Sequence, residues 1–307
     1  MLTRSMTVRA PAKVNVQLAV GGRRPDGFHE LANVYMAVSA YDDITVSPSD
    51  RLTVTVSGPG AEGVPADETN LAVQAAALLA KHAGIEPAVH IRIEKHLPVA
   101  GGMAGGSADA AGALIACDAL WGLESDRDHL MSVAAALGSD VPFSLMGGTA
   151  LGVGRGELLT PLACAGTFHW VFAVAEFGLS TPAVYRAYEQ HRREMGAPFT
   201  AADVPAPRPS PALLDALASG DRSALAASLS NDLEPVVTAF RPELARTLDA
   251  GREAGALAAL LCGTGATTAF LAQDEPAATH LARRLLASGS CASVLTAHGP
   301  VTGPRPI

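Results

Sequence analysis

The sequence predicts an α+β fold, in which strands and helices fall into separate stretches of the chain. The segment 7–20 alternates apolar and polar residues, which indicates a strand with one buried face. Helical patterns over 70–82 and from Ser107 to about Trp121 are placed among predicted hairpins. Because no internal repeat is present either, a regular β-α-β alternation is not expected.

The first half of the chain contains most of the predicted strands. Pro11 interrupts the first strand and predicts an edge or a bulge there. Residues 21–27 are predicted to form a turn or loop, with Pro25-Asp26-Gly27 as its strongest signal. A second hairpin is predicted from strands at 44–47 and 52–56 joined by a turn at 48–50. The other predicted elements are a helix over 70–82 stopped at Gly84, a strand over 89–94, a helix from Ser107, a helix introduced by residues 125–128 and ending at Gly138, and a tight hairpin at 147–154.

The second half, from about Thr160, is predicted to hold a buried strand, several helices and a second glycine turn. The apolar run 254–273 is interrupted by Gly263-Thr264-Gly265 and therefore predicts a buried helix–turn–strand, not a membrane span. The tail from Gly299 is expected to fray. The other predicted elements are strands at 168–175 and 292–297, helices at 181–189, 211–218, 222–229, 242–254 and 276–288, and a proline-rich loop at 197–211.

Length and composition restrict the class of protein. The 307 residues suggest two domains, placed here at 1–158 and 159–307. A net charge of −8 argues against nucleic acid as a partner. The four cysteines are far apart and form no C-x-x-C pair, which argues against zinc and disulfides and fits a reducing cytoplasm. The N-terminus lacks the apolar core of a signal peptide, so no membrane association is expected.

The most informative segment runs from Pro98 to Ser107 and has four glycines among the six residues 101–106. A loop without side chains that opens a helix lets backbone N–H groups approach a phosphate, and the helix dipole adds about half a positive charge there. No lysine follows Gly106, so this is not a Walker A loop. The alternating strand upstream does not suit a dinucleotide-binding loop. Taken alone, the segment is either a phosphate site or a flexible surface loop.

Three further features accompany this loop: a polar strand face, a carboxylate just after a helix stop, and a late glycine turn. In chain order they are Lys13, Asn15 and Gln17, then Asp140, then Gly263-Thr264-Gly265. By itself Asp140 is better explained as a turn residue that caps its own backbone, and Lys13 as a solvated strand lysine. Ser107 is either an ordinary N-cap or a ligand of phosphate or Mg²⁺.

These features follow the order found in the GHMP small-molecule kinases, which the sequence resembles from about Val8 to Ala297. The segments that are similar to the family's three motifs are Pro11-Ala12-Lys13-Val14-Asn15, Pro98 to Ser107, and Gly263-Thr264-Gly265. Arg24-Pro25-Asp26-Gly27-Phe28-His29-Glu30 and Gly138-Ser139-Asp140-Val141-Pro142-Phe143 resemble the branch whose acceptor is a cytidine-diphosphate-linked methylerythritol. Two positions depart from the pattern, since Cys262 stands where a small residue such as serine is usual and Phe28 stands where tyrosine is usual.

The resemblance implies a two-domain kinase, with a ribosomal-protein-like α+β domain first, a ferredoxin-like α+β domain second, and the active site in the cleft between them. It implies ATP and Mg²⁺ as cofactors and transfer of the γ-phosphate to the 2-hydroxyl of that acceptor, a step in isoprenoid precursor synthesis. It also implies a cytoplasmic enzyme that is a monomer or a weak homodimer.

The resemblance also assigns roles to individual residues. Asp140 would be the general base and Lys13 its electrostatic partner, while Ser107 is the candidate Mg²⁺ ligand. The residues assigned to ATP are Pro98, Val99, Ala100, Gly101, Gly102, Met103, Ala104, Gly105, Gly106, Ser107 and Ala108. Those assigned to the acceptor are Asn15, Phe28, His29, Thr181, Tyr185, Gly263, Thr264 and Gly265, where Thr181 is alternatively a helix cap.

Three alternatives stay open at this point. A mevalonate- or homoserine-type kinase of the same family would share the three motifs but lack the Pro-Asp-Gly-Phe-His turn. A non-catalytic protein of the same fold would be expected to lose the pair of Lys13 and Asp140. An RNA-binding domain is disfavoured by the acidic charge balance.

Overall fold

The computed structural model describes residues 5–198 and 200–307. Its strands are β1 (Met6–Arg23), β2 (His29–Pro48), β3 (Thr53–Ser57), β4 (Val89–Glu94), β5 (Thr149–Gly154), β6 (Leu158–Pro161), β7 (Phe168–Val174), β8 (Ser230–Asn231), β9 (Ala258–Leu261), β10 (Thr268–Ala272), β11 (Ser293–Gly299) and β12 (Arg305–Pro306). Its α-helices are α1 (Leu71–Ala83), α2 (Gly105–Trp121), α3 (Arg127–Leu137), α4 (Val141–Met146), α5 (Thr181–Glu194), α6 (Pro211–Ser219), α7 (Arg222–Ser228), α8 (Glu234–Phe240), α9 (Pro242–Glu253) and α10 (Glu275–Ala287).

The larger sheet is built around the long antiparallel hairpin of β1 and β2. Its order is β12-β1-β2-β4-β3, with β5 also paired to β2, β6 to β5 and β8 to β1. A register shift between Pro11 and Ala12 confirms the irregularity that the proline predicts. The helix α2 packs on β1 and β2. Gly112 allows this close approach, because a Cβ at that position would lie only 2.6 Å from the Ile44 side chain.

The second sheet has the order β11-β7-β10-β9, with every neighbouring pair antiparallel. In chain order these are its fourth, first, third and second strands, which is the ferredoxin-like arrangement expected for the second half. Helices α9 and α10 pack against this sheet. Together the two sheets and their helices confirm the α+β class, while the domain boundary near residue 158 stays a prediction.

The predicted hairpin of 44–47 with 52–56 is wrong. The strand β4 lies between β2 and β3, antiparallel to β2 and parallel to β3. The side chains of Val89, Ile91 and Ile93 in β4 are fully buried, whereas β3 is only partly buried. The more apolar strand therefore takes the interior position of the sheet, although it comes later in the chain.

The expectation of a frayed tail is also wrong. Residues Val8 and Arg9 of β1 pair with Pro306 and Arg305 of β12, and Thr302 forms a bridge with Gly147. The C-terminal residues thereby occupy an edge of the larger sheet that would otherwise leave backbone groups unpaired.

Three smaller predictions need correction, and one helix was missed. The run 254–273 is a strand–turn–strand, β9 to β10, and not a helix–turn–strand. A short apolar run does not distinguish a strand from a buried helix, which is why the helix predicted for its first arm is wrong. The segment 147–154 is not itself a hairpin, since β5 turns back only after Gly154. The loop expected at 21–27 is partly strand, because β1 continues to Arg23. The helix α8 was not predicted, as its seven residues carry little periodic signal. Among the described residues, no helix has the length and apolar character needed to cross a membrane.

Candidate active site

A cleft of about 1150 Å³ is lined by both halves of the chain. It brings together most of the residues assigned to the site from sequence: Lys13, Asn15, Phe28, His29, residues 98–102 and 104–107, Asp140, Thr181, Tyr185 and residues 263–265. The two exceptions are Met103 and Ala108, whose side chains are fully buried in the hydrophobic core.

The loop between β4 and α2 is held through its carbonyl groups. The Ala100 carbonyl accepts from the N–H of Leu179 at 3.4 Å, and the Gly101 carbonyl accepts from the N–H of Thr267 at 3.2 Å. Lys13 holds the two that follow: its ammonium donates to the Gly102 carbonyl at 2.7 Å, and its backbone N–H donates to the Met103 carbonyl at 3.2 Å. Among the described residues, no hydrogen bond is donated by the N–H groups of 101–107. With the carbonyl oxygens engaged, these N–H groups are the polar backbone groups available to an anion in the cleft.

Gly102 allows this loop to contact the late glycine turn. Its φ is +80°, and a Cβ at this position would lie 2.0 Å from the Cys262 carbonyl oxygen. Asn231 also anchors the turn, since its Nδ2 donates to the carbonyls of Leu261 and Gly263 at 2.8 and 2.7 Å. Burial raises the pKa of the Cys262 thiol to about 12, so this departure from the family pattern adds no charge.

The helix α2 begins two residues earlier than expected. Its first residue is Gly105, and Ala104 at the N-cap position has φ +60° and makes no side-chain cap. Ser107 is therefore the third residue of the helix, and its interpretation as an N-cap is wrong. Because Ser107 lines the cleft beside the loop, binding of phosphate or Mg²⁺ is the role that its hydroxyl retains as a prediction.

Lys13 and Asp140 meet inside the cleft, with the Lys13 ammonium 3.8 Å from Asp140 Oδ2. The Lys13 side chain is 5% exposed and that of Asp140 is 34% exposed. The lysine is thus not the solvated strand residue that sequence alone favours, because the second half of the chain covers its strand face. Asp140 stands at the N-cap of α4 but makes no cap hydrogen bond, so its interpretation as a backbone cap is wrong. The result is an accessible carboxylate beside a buried cation.

Two polar residues of β2, Asn33 and Tyr35, complete this cluster, and neither was predicted as a site residue. The Tyr35 hydroxyl donates to Asp140 Oδ1 at 3.1 Å, and Asn33 Oδ1 accepts from Asn15 Nδ2 at 2.7 Å. Asn15 Oδ1 in turn accepts from the Lys13 ammonium at 2.6 Å. Burial raises the pKa of Tyr35 well above its ordinary value, so the hydroxyl stays protonated and can donate. The sequence signal that could have identified them is their spacing: Asn33 and Tyr35 are two residues apart in an otherwise apolar strand, which places both on one face.

His29 also lines the cleft and is buried. Its Nδ1 is 3.0 Å from the Gly21 carbonyl oxygen, and its Nε2 is 3.2 Å from Glu189 Oε1. The carbonyl requires a proton on Nδ1, and the carboxylate contact requires a second proton, on the ring or on Glu189. The ring stacks on Tyr185 at a centroid distance of 5.3 Å and an angle of 24°. Glu189 was not predicted, because its link to His29 spans 160 residues of sequence.

Phe28 and two threonines also line the cleft. The Phe28 side chain is half-exposed, and the Arg155 guanidinium lies 4.9 Å from its ring centroid in a cation–π contact. The hydroxyls of Thr181 and Thr264 are 3.1 Å apart and join α5 to the glycine turn. Thr181 is the first residue of α5 and Ser180 is the N-cap, so Thr181 is not a helix cap.

Comparisons with known proteins assign the family. The GHMP kinases N terminal domain matches residues 70–148, and the GHMP kinases C terminal matches residues 213–291. A 4-diphosphocytidyl-2-C-methyl-D-erythritol kinase of Streptomyces avermitilis is 58% identical over 299 residues, which cover 97% of this chain and 98% of the relative. The protein of the same name from Streptomyces coelicolor is 57% identical over 300 residues, with the same coverages.

A solved structure agrees with these relatives. The crystal structure of a 4-(cytidine 5'-diphospho)-2C-methyl-D-erythritol kinase matches with a TM-score of 0.77 at 34% identity, over 95% of this chain and 98% of that chain. This chain therefore belongs to the GHMP kinase family, as the three motifs indicate. Its α+β fold and its class, a kinase that takes phosphate from ATP, are confirmed.

Proposed function

We propose that this chain transfers the γ-phosphate of ATP to the 2-hydroxyl of 4-diphosphocytidyl-2-C-methyl-D-erythritol, in the non-mevalonate route to isoprenoid precursors. The observation that carries the proposal is the juxtaposition, in one cleft, of a loop with free N–H groups and the pair of Lys13 and Asp140. The names of the relatives support the choice of acceptor.

The reaction divides between these two parts of the cleft. The N–H groups of 101–107 hold the terminal phosphates of ATP, where phosphoryl transfer needs alignment and offset charge more than covalent help. Asp140 accepts the proton of the acceptor hydroxyl as that oxygen bonds to the γ-phosphorus and the bond to ADP breaks. The Lys13 ammonium stabilises the negative charge that develops on the acceptor oxygen and on the oxygens of the transferred phosphate.

The residues around His29 supply recognition of the cytidine group. Phe28 and Tyr185 offer flat faces to a planar base, and stacking of one base contributes about 1–3 kcal/mol. His29 is buried and stacks on Tyr185, so it would support the tyrosine ring and not form an open face itself. Thr181, Thr264 and Asn15 line the same cleft, and Asn15 accepts from Lys13, so they are available to the diphosphate and the alcohol. Cytosine and a diphosphate are features that mevalonate and homoserine lack, so these residues would discriminate between the acceptors.

Mg²⁺ is expected to be held mainly by ATP itself. Among the described residues, no group of three or more His, Cys, Asp or Glu side chains is arranged to hold a metal ion. Mg²⁺ is commonly bound by one or two protein groups together with phosphate oxygens and water, which fits the Ser107 hydroxyl beside the loop. The ion would offset charge on the phosphates. The cytoplasmic location and the monomeric or weakly dimeric state stay predictions.

The test is an ADP-release assay of the purified chain with ATP, Mg²⁺ and one alcohol at a time. The cytidine-linked methylerythritol is expected to give a kcat/KM at least 10³-fold above mevalonate or homoserine, a difference of about 4 kcal/mol. Mass spectrometry of the product should show one added phosphate on the acceptor. Preferred turnover of mevalonate or homoserine would overturn the choice of acceptor, and nucleotide binding without any turnover would support a non-catalytic protein.

A further inference from the structure

A second buried lysine, Lys95, lies beside the loop that joins β4 to α2, which is called the phosphate loop from here on. It has no part in the proposed chemistry. Lys95 follows β4, and its Nζ donates to Asp42 Oδ2 and, at 2.8 Å, to Asp109 Oδ2. The exposed fractions of the three side chains are 2% for Lys95, 0% for Asp42 and 3% for Asp109. These residues form a buried triad, Asp42–Lys95–Asp109, beside a core made largely of alanine, valine and leucine.

The triad is an expensive way to stabilise a core. Burial by itself would lower the pKa of Lys95, but the carboxylates of Asp109 and Asp42 raise it overall, so the ammonium stays charged. Burial raises the pKa of Asp109 to about 7, against the attraction of Lys95. Apolar side chains of similar volume often give equal or greater stability than buried ion pairs. Stability alone therefore does not account for three ionisable groups at this position.

Each carboxylate is attached to one end of the phosphate loop. Asp42 Oδ1 accepts hydrogen bonds from the N–H groups of 96–97, just before the loop, at 2.6 and 2.9 Å. Asp109 belongs to α2, which begins where the loop ends. Lys95 connects the two, and a Cβ built on Gly105 would lie 3.2 Å from its Nζ. The ammonium thus lies directly beside the point at which the loop becomes a helix.

The triad also borders the cleft. Lys95 and Asp109 are among the residues that line it. Asp109 Oδ1 is buried and has no hydrogen-bond partner among the described residues. An unpartnered carboxylate oxygen is costly inside a core, so its position at the edge of the phosphate site indicates a functional constraint.

We propose that the buried triad is a positioning device for the phosphates of ATP. Lys95 ties the end of β4 to the first turns of α2, and this tie sets the curvature at which the N–H groups of 101–107 converge on an anion. The inference rests on the proposed function only in that the loop binds ATP. Its three members are positioning residues, because they act through the loop.

The test compares nucleotide binding to variants of the full chain by calorimetry. Asp109→Ala is expected to weaken binding of a non-hydrolysable ATP analogue about tenfold, the effect of losing one charge-assisted hydrogen bond. Adenosine, which lacks phosphates, should bind within about twofold of wild type. Asp109→Asn keeps an acceptor for Lys95 and should restore the affinity for the analogue to within about threefold.

Asp43→Ala is the matched control. It removes the neighbouring ion pair with Arg9, whose charged atoms are 2.7 Å apart and which joins β1 to β2 outside the cleft. Its affinity for the analogue should equal that of wild type. Should Asp109→Ala not fold, Lys95→Met combined with Asp109→Leu fills the same space without the tie, and Asp42 retains its two backbone donors. The same tenfold loss is expected in that variant.

Binding of the analogue within twofold of wild type, in either folded variant, overturns the inference. An equal loss of adenosine affinity also overturns it, since the effect would then not be specific to the phosphates. The outcome is independent of the acceptor: wild-type protein that binds the analogue but phosphorylates none of the alcohols contradicts the proposed function and leaves this test readable.

Discussion

Two of the three lysines in this chain are buried and line the same cleft, but their ammonium groups have opposite surroundings. Lys13 donates to two neutral oxygens, of Asn15 and of the Gly102 carbonyl, and its carboxylate neighbour Asp140 is 3.8 Å away and one-third exposed. Lys95 donates directly to two carboxylates that are both buried. The first cation is held without being neutralised, whereas the charge of the second is offset where it stands.

This difference separates two uses of a buried charge. A cation that is oriented by neutral acceptors keeps its field for charge that develops during a reaction, and no reorganisation is needed when that charge appears. A cation between two carboxylates has little field left to offer, but it joins the segments that carry them. Lys13 is thus suited to transition-state stabilisation and Lys95 to positioning.

The largest expected effect is that of Asp140→Asn. The amide has nearly the same volume and can still accept from Tyr35, but it cannot take the proton of the acceptor hydroxyl. We expect kcat to fall about 10³-fold, or about 4 kcal/mol, while the affinity for ATP stays within threefold of wild type. ADP release measures the first quantity and calorimetry the second.

The control for this change is Asp128→Asn, which alters an exposed carboxylate in α3 outside the cleft. Its kcat should not differ from that of wild type. Retention of more than a tenth of the wild-type kcat by Asp140→Asn would remove this residue from the proposed chemistry and leave Lys13 without a catalytic partner.

The next effect is that of Lys13→Met, which keeps an unbranched buried side chain and removes the charge. We expect kcat to fall about 10²-fold, or about 2.7 kcal/mol, because the developing negative charge loses its counterion. Lys81→Met is the matched control, since Lys81 is exposed in the last turn of α1. A weaker affinity for ATP with an unchanged kcat would show that Lys13 acts as Lys95 does, and the comparison between the two lysines would fail.

The position of Lys13 depends in turn on Gly102. In Gly102→Ala the methyl group would meet the Cys262 carbonyl oxygen and the residue would keep its positive φ, so we expect a loss of about 2–3 kcal/mol in the free energy of unfolding. Gly84→Ala is the control, because Gly84 has φ +67° but no atom within 4 Å of its Cβ position. That variant should lose about 1 kcal/mol in urea unfolding. Equal losses would mean that the close approach of the two glycine turns carries no strain.

Much of the fold follows from local signals in the sequence. The alternation in β1 and the stop of α1 at Gly84 involve residues that are neighbours in the chain, and these predictions are confirmed. The choice of strand partners is not local. The insertion of β4 between β2 and β3, and the return of β12 to β1, depend on which distant segment buries the most apolar surface or completes an open edge.

The candidate site divides in the same way. Asn15, Asp140 and the loop 98–107 stand in short motifs that resemble a known family, and they can be found without coordinates. The groups that orient them cannot, because Tyr35 reaches Asp140 across 105 residues and Asn231 reaches Gly263 across 32. The triad has no motif at all, since Asp42, Lys95 and Asp109 come from three separate elements that meet only in the folded chain.

The smallest effect is expected for Tyr35→Phe, which keeps the ring that stacks on Phe143 at 4.7 Å and removes one hydrogen bond to Asp140. A net hydrogen bond contributes about 1 kcal/mol, so kcat should fall about fivefold with little change in the affinity for ATP. Tyr41→Phe on the same strand, outside the cleft, should leave kcat unchanged. In Tyr35→Phe the cluster around Lys13 loses only an orienting donor, whereas Asp109→Ala breaks one of the two ion pairs of Lys95. If the contacts in the cluster around Lys13 serve only to orient the reacting groups, Tyr35→Phe must lower kcat without weakening nucleotide binding. Asp109→Ala must weaken nucleotide binding without lowering kcat.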